Sequence, residues 1–347
     1  MTNGEQTRKK IAKAAAPIFN KRGYEGSSFN DLMEATAGPL VAKTLDGLNL
    51  SVQTYGDVGN DEILLIHGFG QSRLSWSKQT SSSLTEQYRV VTFDLRGHGN
   101  SDKPNDAAAY ASGEQWADDL HAVMETAGLR RPTLVGWSLG GFIIGLYLSK
   151  YGLERTAGIN LVDALTVFSP GSEFFTQTFG ELLPRLASPD LPERATATVE
   201  FLASCFATKP EAAAFEQMLI VAGMMPLAVT QGLLKVSGAT LDEAFAKSGP
   251  MLVTYGAKDL LFEPGMSTRM QALNQTAQVS LYQESGARSF LRRTRPLQPR
   301  VDRLHQPANE FRVRRSLPQY IVLDPKHVDC NRSRRNFAFS CVATWMT

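Results

Sequence analysis

Residues 132–150 read PTLVGWSLGGFIIGLYLSK. A short apolar run, Pro132 to Val135, leads into Gly136-Trp137-Ser138-Leu139-Gly140, and a longer apolar run follows Gly141. The first run has the length of a strand and the second that of a helix. Between them lies a G-x-S-x-G pattern, which holds a serine on a strained strand-to-helix turn. Small flanking residues let the backbone pack tightly there, and the helix N-terminus helps stabilise negative charge beside the hydroxyl. Ser138 is the candidate nucleophile.

On either side, the sequence alternates strands with helices. LNLSVQTYGD (48–57) alternates apolar and polar residues and ends as a strand at Gly56. EILLIHGFG (62–70) and YRVVTFDLRGHGNSD (88–102) are short apolar runs broken by glycine, as expected of buried strands. Gly113 to Ala127 has helical periodicity, with Trp116, Leu120, Val123 and Met124 on one side. AGINLVDAL (157–165) and PMLVTYGAKDLLF (250–262) supply further strands. The alternation predicts an α/β fold with a mostly parallel sheet covered by helices on both faces. The stretch from about Phe168 to Ser248 is mainly helical and carries Phe174, Phe175, Leu182, Phe201, Leu202 and Met218; it is expected to form a cap over the site.

HGFG (67–70), FDLRGHGNSD (93–102) and GWSLGG (136–141), in this order, resemble the α/β-hydrolase superfamily over residues 41–286. The likeness is to small carboxylesterases, lactonases and cofactor-free haloperoxidase-type members. It implies hydrolysis of a small ester or acyl compound, with no metal or organic cofactor. It assigns the oxyanion-holding N–H groups to Phe69 and Leu139. It makes His67 structural, and Asp94 and His98 the makers of a turn. The family order is serine, acid, histidine, which places the acid at Asp259, with Asp163 as the alternative. Trp137 either lines the pocket or packs.

The histidine belongs in a G-H-x-P-F phrase after Asp259. The sequence there reads Glu284-Ser285-Gly286-Ala287-Arg288-Ser289-Phe290, so Ala287 stands where the base is expected. Alanine cannot accept the proton of Ser138. A shift of one nucleotide at this point permits a back-translation that begins with histidine and continues into an amphipathic helix. The residues that follow fit an out-of-frame reading: Ala287 to Thr347 holds 12 Arg and one Lys against four acids, a net +9, leaving −7 on the first 286 residues. Proline interrupts this basic, irregular tail at positions 296, 299, 307, 318 and 325. His305 and His327 lie there as substitute bases without a pattern around them. The parent hydrolase activity is therefore expected to be impaired.

Residues 1–40 have a different character. TRKKIAKAAAPIFNKRGYEGSSFNDLMEATAG (7–38) resembles the opening of a tetracycline-repressor-family (TetR) DNA-binding domain over about residues 5–38. The recognition helix that enters the major groove and reads bases should come next, but PLVAKTLDGLNL follows instead. A supporting helix alone touches phosphates without reading sequence, so specific nucleic-acid binding is not expected. The alternative reading, a transcriptional regulator with a hydrolase-like ligand-sensing domain, depends on that missing helix. A third is a non-catalytic binding protein.

The three cysteines, Cys205, Cys330 and Cys341, have neither metal-ligand spacing nor an even disulfide set. The polar opening residues do not read as a signal peptide. No run approaches the roughly 18 apolar residues of a membrane span, and the chain is read as cytoplasmic with a small acyl compound as its partner. Substrate identity and oligomeric state are not legible.

Overall fold

The computed structural model describes residues 40–167, 172–208 and 210–288. The repressor-like segment, the basic tail beyond Arg288, His305 and His327 lie outside the described residues. Within them an eight-stranded sheet runs in the order β1-β2-β4-β3-β5-β6-β7-β8. The strands are β1 (Leu40–Lys43), β2 (Asn49–Tyr55), β3 (Asp61–Ile66), β4 (Tyr88–Phe93), β5 (Thr133–Trp137), β6 (Gly158–Val162), β7 (Met251–Gly256) and β8 (Ala277–Tyr282). β1 and β2 pair antiparallel, as do β2 and β4; every pairing from β4 through β8 is parallel. This is the fold class expected from the sequence.

Burial follows from the composition of each strand. All residues of β4, β5 and β6 are buried, so these strands are mostly apolar on both faces rather than alternating. The helix α3 (Gly113–Thr126) starts with a capping box between Ser112 and Gln115 and buries Trp116, Leu120, Val123 and Met124. Those four are the residues its period placed on one side. Two short helices, α1 (Ser77–Thr80) and α2 (Leu84–Gln87), precede β4. The helix α4 (Leu139–Tyr151) is apolar nearly all round and buried over most of its length, as a helix inside a large core must be. Each buried Leu, Ile, Val or Phe in such a core contributes about 1.5–3 kcal/mol.

Between β6 and β7 come α5 (Gln177–Leu186), α6 (Leu191–Ser204), α7 (Ala212–Gly223), α8 (Leu227–Leu233) and α9 (Leu241–Lys247). The stretch expected to be helical is so. Its last helix packs on the body: a Cβ on Gly145 of α4 would meet Leu241 at 2.7 Å and Phe245 at 2.9 Å, so α9 lies against α4 at a glycine that lets it approach. The final described helix, α10 (Gly265–Leu273), buries Met266 and Met270 beside β7. The edge strands β1 and β8 are additions to the sequence reading. β1 is only four residues long and β8 is half exposed, so neither leaves an apolar run to read. No single helix among the described residues is long and apolar enough to cross a membrane.

Candidate active site

The sheet order turns at β3, which lies between β4 and β5 although β4 follows it in the chain. Ligands of open α/β sheets bind beyond the carboxyl ends of the strands at such a switch. The 67–70 loop leaves β3 there, and Ser138 leaves β5 beside it.

Ser138 has φ 52° and ψ −116°, a strained backbone for any residue with a Cβ. It is half-buried and makes no side-chain capping bond to α4. The surrounding glycines allow the turn. A Cβ on Gly136 would lie 2.5 Å from the Gly140 carbonyl carbon, and one on Gly140 would lie 2.4 Å from the Ile66 carbonyl oxygen. A Cβ on Gly141 would meet that of Ala164 at 2.4 Å. The turn is fixed further by Ser138 N–H donating to Val162 O at 3.0 Å and Leu165 N–H donating to Ser138 O at 3.0 Å.

Gly68 faces the same turn: its missing Cβ would lie 3.2 Å from Cβ of Ser138. That approach sets Phe69 at the serine, and both line one small apolar cavity. Leu139 opens α4, so its N–H has no acceptor within the helix. The 67–70 loop is held by two histidines. His67 Nε2 accepts from Leu95 N–H at 3.0 Å while its Nδ1 meets Gly68 O at 2.8 Å. His98 Nε2 accepts from Gly70 N–H at 3.1 Å while its Nδ1 meets Arg96 O at 2.9 Å. Each ring therefore donates through Nδ1 and accepts through Nε2, which requires the neutral form. Burial agrees, pulling His67 down to about 4 and His98 to about 3, the latter lowered further by the neighbouring His67. Asp94 accepts from the backbone N–H groups of Arg73 and Asn100, at 2.7 and 2.9 Å, and closes the turn. These residues build the loop, in accord with the structural roles expected for them.

Asp163 and Asp259 follow adjacent strands, β6 and β7. Asp163 is fully buried with φ 41°, and its Oδ1 accepts from Gly256 N–H at 2.7 Å. Asp259 Oδ1 accepts from Leu261 and Phe262 N–H at 2.8 and 3.2 Å. Its Oδ2 is buried without a hydrogen-bond partner among the described residues. Burial, and then the charge of Asp163, push the Asp259 carboxyl well above the ordinary carboxylate range.

The loop after β8 docks beside this acid. Lys258 N–H donates to Ser285 O at 2.8 Å, and a Cβ on Gly256 would strike Gly286 O. Ala287 is 2% exposed, and its carbonyl accepts from Trp137 Nε1 at 2.8 Å. Trp137 thus packs as a strut between the serine turn and the 284–288 loop, which decides between its two expected roles. His121 stacks on Tyr151 at 4.3 Å between α3 and α4. None of the three described histidines is a base for Ser138: two are engaged at both ring nitrogens and the third lies between helices.

The cavity above Ser138 has a volume of about 50 Å³, with Phe69, Phe142, Phe179, Phe201, Leu233 and Phe262 among its walls. Phe201 belongs to the apolar set noted in the sequence, but Phe179, Leu233 and Phe262 come from distant helices and loops that no local pattern joins. Cys205, the described cysteine, is buried, and burial raises its thiol to about 12, which leaves it unreactive. No cluster of candidate metal ligands exists among the described residues.

A family model described as the alpha/beta hydrolase fold matches residues 62–293. Among curated relatives, a bifunctional esterase/perhydrolase from Acinetobacter calcoaceticus is 32% identical over 122 residues, 35% of this chain and 43% of the relative. A non-heme chloroperoxidase from Streptomyces lividans is 31% identical over 122 residues, with the same coverage of 35% and 43%. The chain thus spans less than half the length of these curated relatives. A solved structure from Burkholderia cenocepacia, assigned provisionally as an aryl esterase, superimposes with a TM-score of 0.69 at 34% identity. It covers 73% of this chain and 93% of its own. With the elbow at Ser138, the parallel sheet and a family match over most of the described residues, the chain belongs to the α/β-hydrolase fold family.

Proposed function

We propose that this chain is a serine hydrolase scaffold for short acyl esters whose turnover is disabled at the base position. In this reading Ser138 is the nucleophile, and the N–H groups of Phe69 and Leu139 hold the oxyanion. Asp259 is the acid because its Oδ2 is buried without a hydrogen-bond partner among the described residues, with Asp163 second to it. The observation that carries the reading is the buried Asp259 Oδ2, which lacks a hydrogen-bond partner among the described residues while Ala287 occupies the neighbouring loop. In a working triad that oxygen accepts the imidazole N–H, orients the ring and stabilises its charged form. Without the ring, Ser138 keeps its proton.

Esterase relatives support an acyl substrate, and the cavity supports a short one. At about 50 Å³, walled by aromatic and aliphatic side chains, it has room for an acetyl-sized group. Loss of one triad member costs on the order of 10⁶ in kcat, while about 10³–10⁴ over water survives through binding and the oxyanion hole. The basic residues from Ala287 onward fit a frame change that removed the histidine. No observation on the described residues favours the regulator reading.

Steady-state hydrolysis of p-nitrophenyl acetate and p-nitrophenyl octanoate, by the chain and by Ala287→His, tests this. The expected result is weak acetate turnover by the chain, a gain of about 10²-fold or more in Ala287→His, its loss in Ala287→His/Ser138→Ala, and little octanoate turnover. Strong Ser138-dependent turnover by the unaltered chain would sink the proposed impairment. A preference for octanoate would sink the short-acyl assignment.

A further inference from the structure

A second cavity, about 410 Å³, lies between the 71–78 segment, α7 and the 284–288 loop, and Ser138 is not among its lining residues. That volume suits a small organic molecule. Much of the wall is apolar: Leu74, Phe206, Pro210, Ala214, Met218 and Val221 line it. Two of its sides are packed backbone to backbone. A Cβ on Gly286 would lie 2.7 Å from Ala207 N, so the 284–288 loop presses on the segment that follows α6.

One polar group in the wall stands apart. Ser285 lines the cavity and is 4% exposed. Its backbone is tied on both sides: its N–H donates to Tyr282 O at 3.2 Å, and its carbonyl accepts from Lys258 N–H at 2.8 Å. Its hydroxyl makes no hydrogen bond to a described residue. A buried hydroxyl without a partner is unfavourable, and a ligand group that meets it removes the penalty. The Ser75 hydroxyl also lines the cavity; its oxygen accepts from Arg288 at 3.4 Å, which leaves its own O–H to donate. Hydroxyl donors of this kind call for an acceptor on the ligand.

The charged residues of the wall do not select a charge. Lys78, Glu211 and Glu284 are exposed, where water and salt screen them. Arg288 is buried and already engaged: it donates to Gln71 Oε1 at 3.0 Å as well as to Ser75, and lies over the Trp137 and Phe206 rings. With two cations and two acids, the described lining favours neither sign.

We propose that this cavity binds a small uncharged carbonyl compound with an apolar body, such as an aryl-alkyl ketone. The carbonyl oxygen accepts from the Ser285 hydroxyl, and the body lies along Phe206, Met218 and Val221. An ionised ligand would lose hydration that these walls do not replace. The site is separate from the Ser138 cavity and does not depend on turnover there.

Isothermal titration of the full chain with 4-phenyl-2-butanone, a ketone that Ser138 cannot hydrolyse, tests the proposal. Saturable binding is expected. Ser285→Ala should weaken it about three- to tenfold, the effect of one neutral hydrogen bond. Ala214→Trp, on the half-buried side of α7 that lines the cavity, should abolish it while leaving Ser285 in place. Leu183→Trp, which fills the other cavity, should leave it unchanged. Absence of saturable binding overturns the proposal, as does unaltered affinity in Ser285→Ala. So does binding that survives Ala214→Trp and is lost in Leu183→Trp, which would place the ketone above Ser138. Tighter binding of 4-phenylbutyrate or of 4-phenyl-2-butanol than of the ketone would overturn the ligand class.

Discussion

Two turns at the same edge of the sheet have been finished to different degrees. At the β5–α4 turn, Gly136, Gly140 and Gly141 each sit where a Cβ would come within 2.5 Å of another atom, and the strained Ser138 is tied at both backbone groups. At the β7 turn and the 284–288 loop the backbone is equally well docked, through Lys258 N–H, Gly256 and the Trp137 indole. In the proposed reading, the described side chains there do not complete a catalytic set. Asp259 presents a buried oxygen without a hydrogen-bond partner among the described residues, and the loop beside it offers Ala287. On the reading proposed above, the scaffold around the site is kept although one reacting group is gone, because most of the docking is through backbone atoms while the chemistry needs a side chain.

If that contrast is right, the largest stability effect belongs to the serine turn. Gly140→Ala places a Cβ 2.4 Å from Ile66 O, a backbone atom inside the sheet that cannot swing aside. It should cost about 3 kcal/mol or more in urea unfolding, at the upper end of overpacking effects. Gly249→Ala, where a Cβ meets nothing within 4 Å, serves as the control and should change little. Equal costs at the two positions would break the claim that the serine turn is the tightly built one.

The acid side should give a smaller, pH-dependent effect. The folded-state pKa of Asp259 is raised by burial first and by Asp163 second. As pH rises past the ordinary value of about 3.9, the unfolded chain releases this proton while the folded chain keeps it, so the native state loses stability. That loss is complete above the folded pKa. Asp259→Asn cannot ionise and keeps an acceptor for Leu261 and Phe262 N–H. It should stabilise the protein at pH 8 by about 1.4 kcal/mol for each unit of elevation, and the gain should vanish near pH 3. A gain of the same size at both pH values would show that ionisation of Asp259 is not what burdens the fold.

Strain at Ser138 should give the smallest effect. Its φ of 52° is accessible to glycine without cost, so Ser138→Gly should stabilise the chain by about 1 kcal/mol in thermal or urea unfolding. A destabilised Ser138→Gly would mean that the serine side chain contributes packing that outweighs the strain.

What the sequence revealed follows the same division. The serine turn was legible because its geometry is local: strand, glycines and helix occur within 19 consecutive residues, 132–150. The apolar runs of β3, β4 and β5 and the buried face of α3 were legible for the same reason. The absence of a histidine at position 287 was legible only through the family order. Less was readable where neighbours come from far along the chain. Phe179, Leu233 and Phe262 meet over Ser138 from three separate elements. Arg288 resembles the other arginines of the tail until the fold stacks it on Trp137 and Phe206, 151 and 82 residues earlier in sequence. The edge strands left no pattern to detect, β1 because it has only four residues and β8 because it is half exposed and not an apolar run.

The central claim is that Ser138 is correctly placed but not activated. The direct test is the rate at which a fluorophosphonate labels Ser138, followed by intact-mass spectrometry on the chain, Ala287→His and Ser138→Ala. The expected result is slow labelling of the chain, labelling at least about 10²-fold faster in Ala287→His, and none in Ser138→Ala. Labelling of the unaltered chain as fast as that of Ala287→His would contradict the claim, because Ser138 would then have a base that the described residues do not supply.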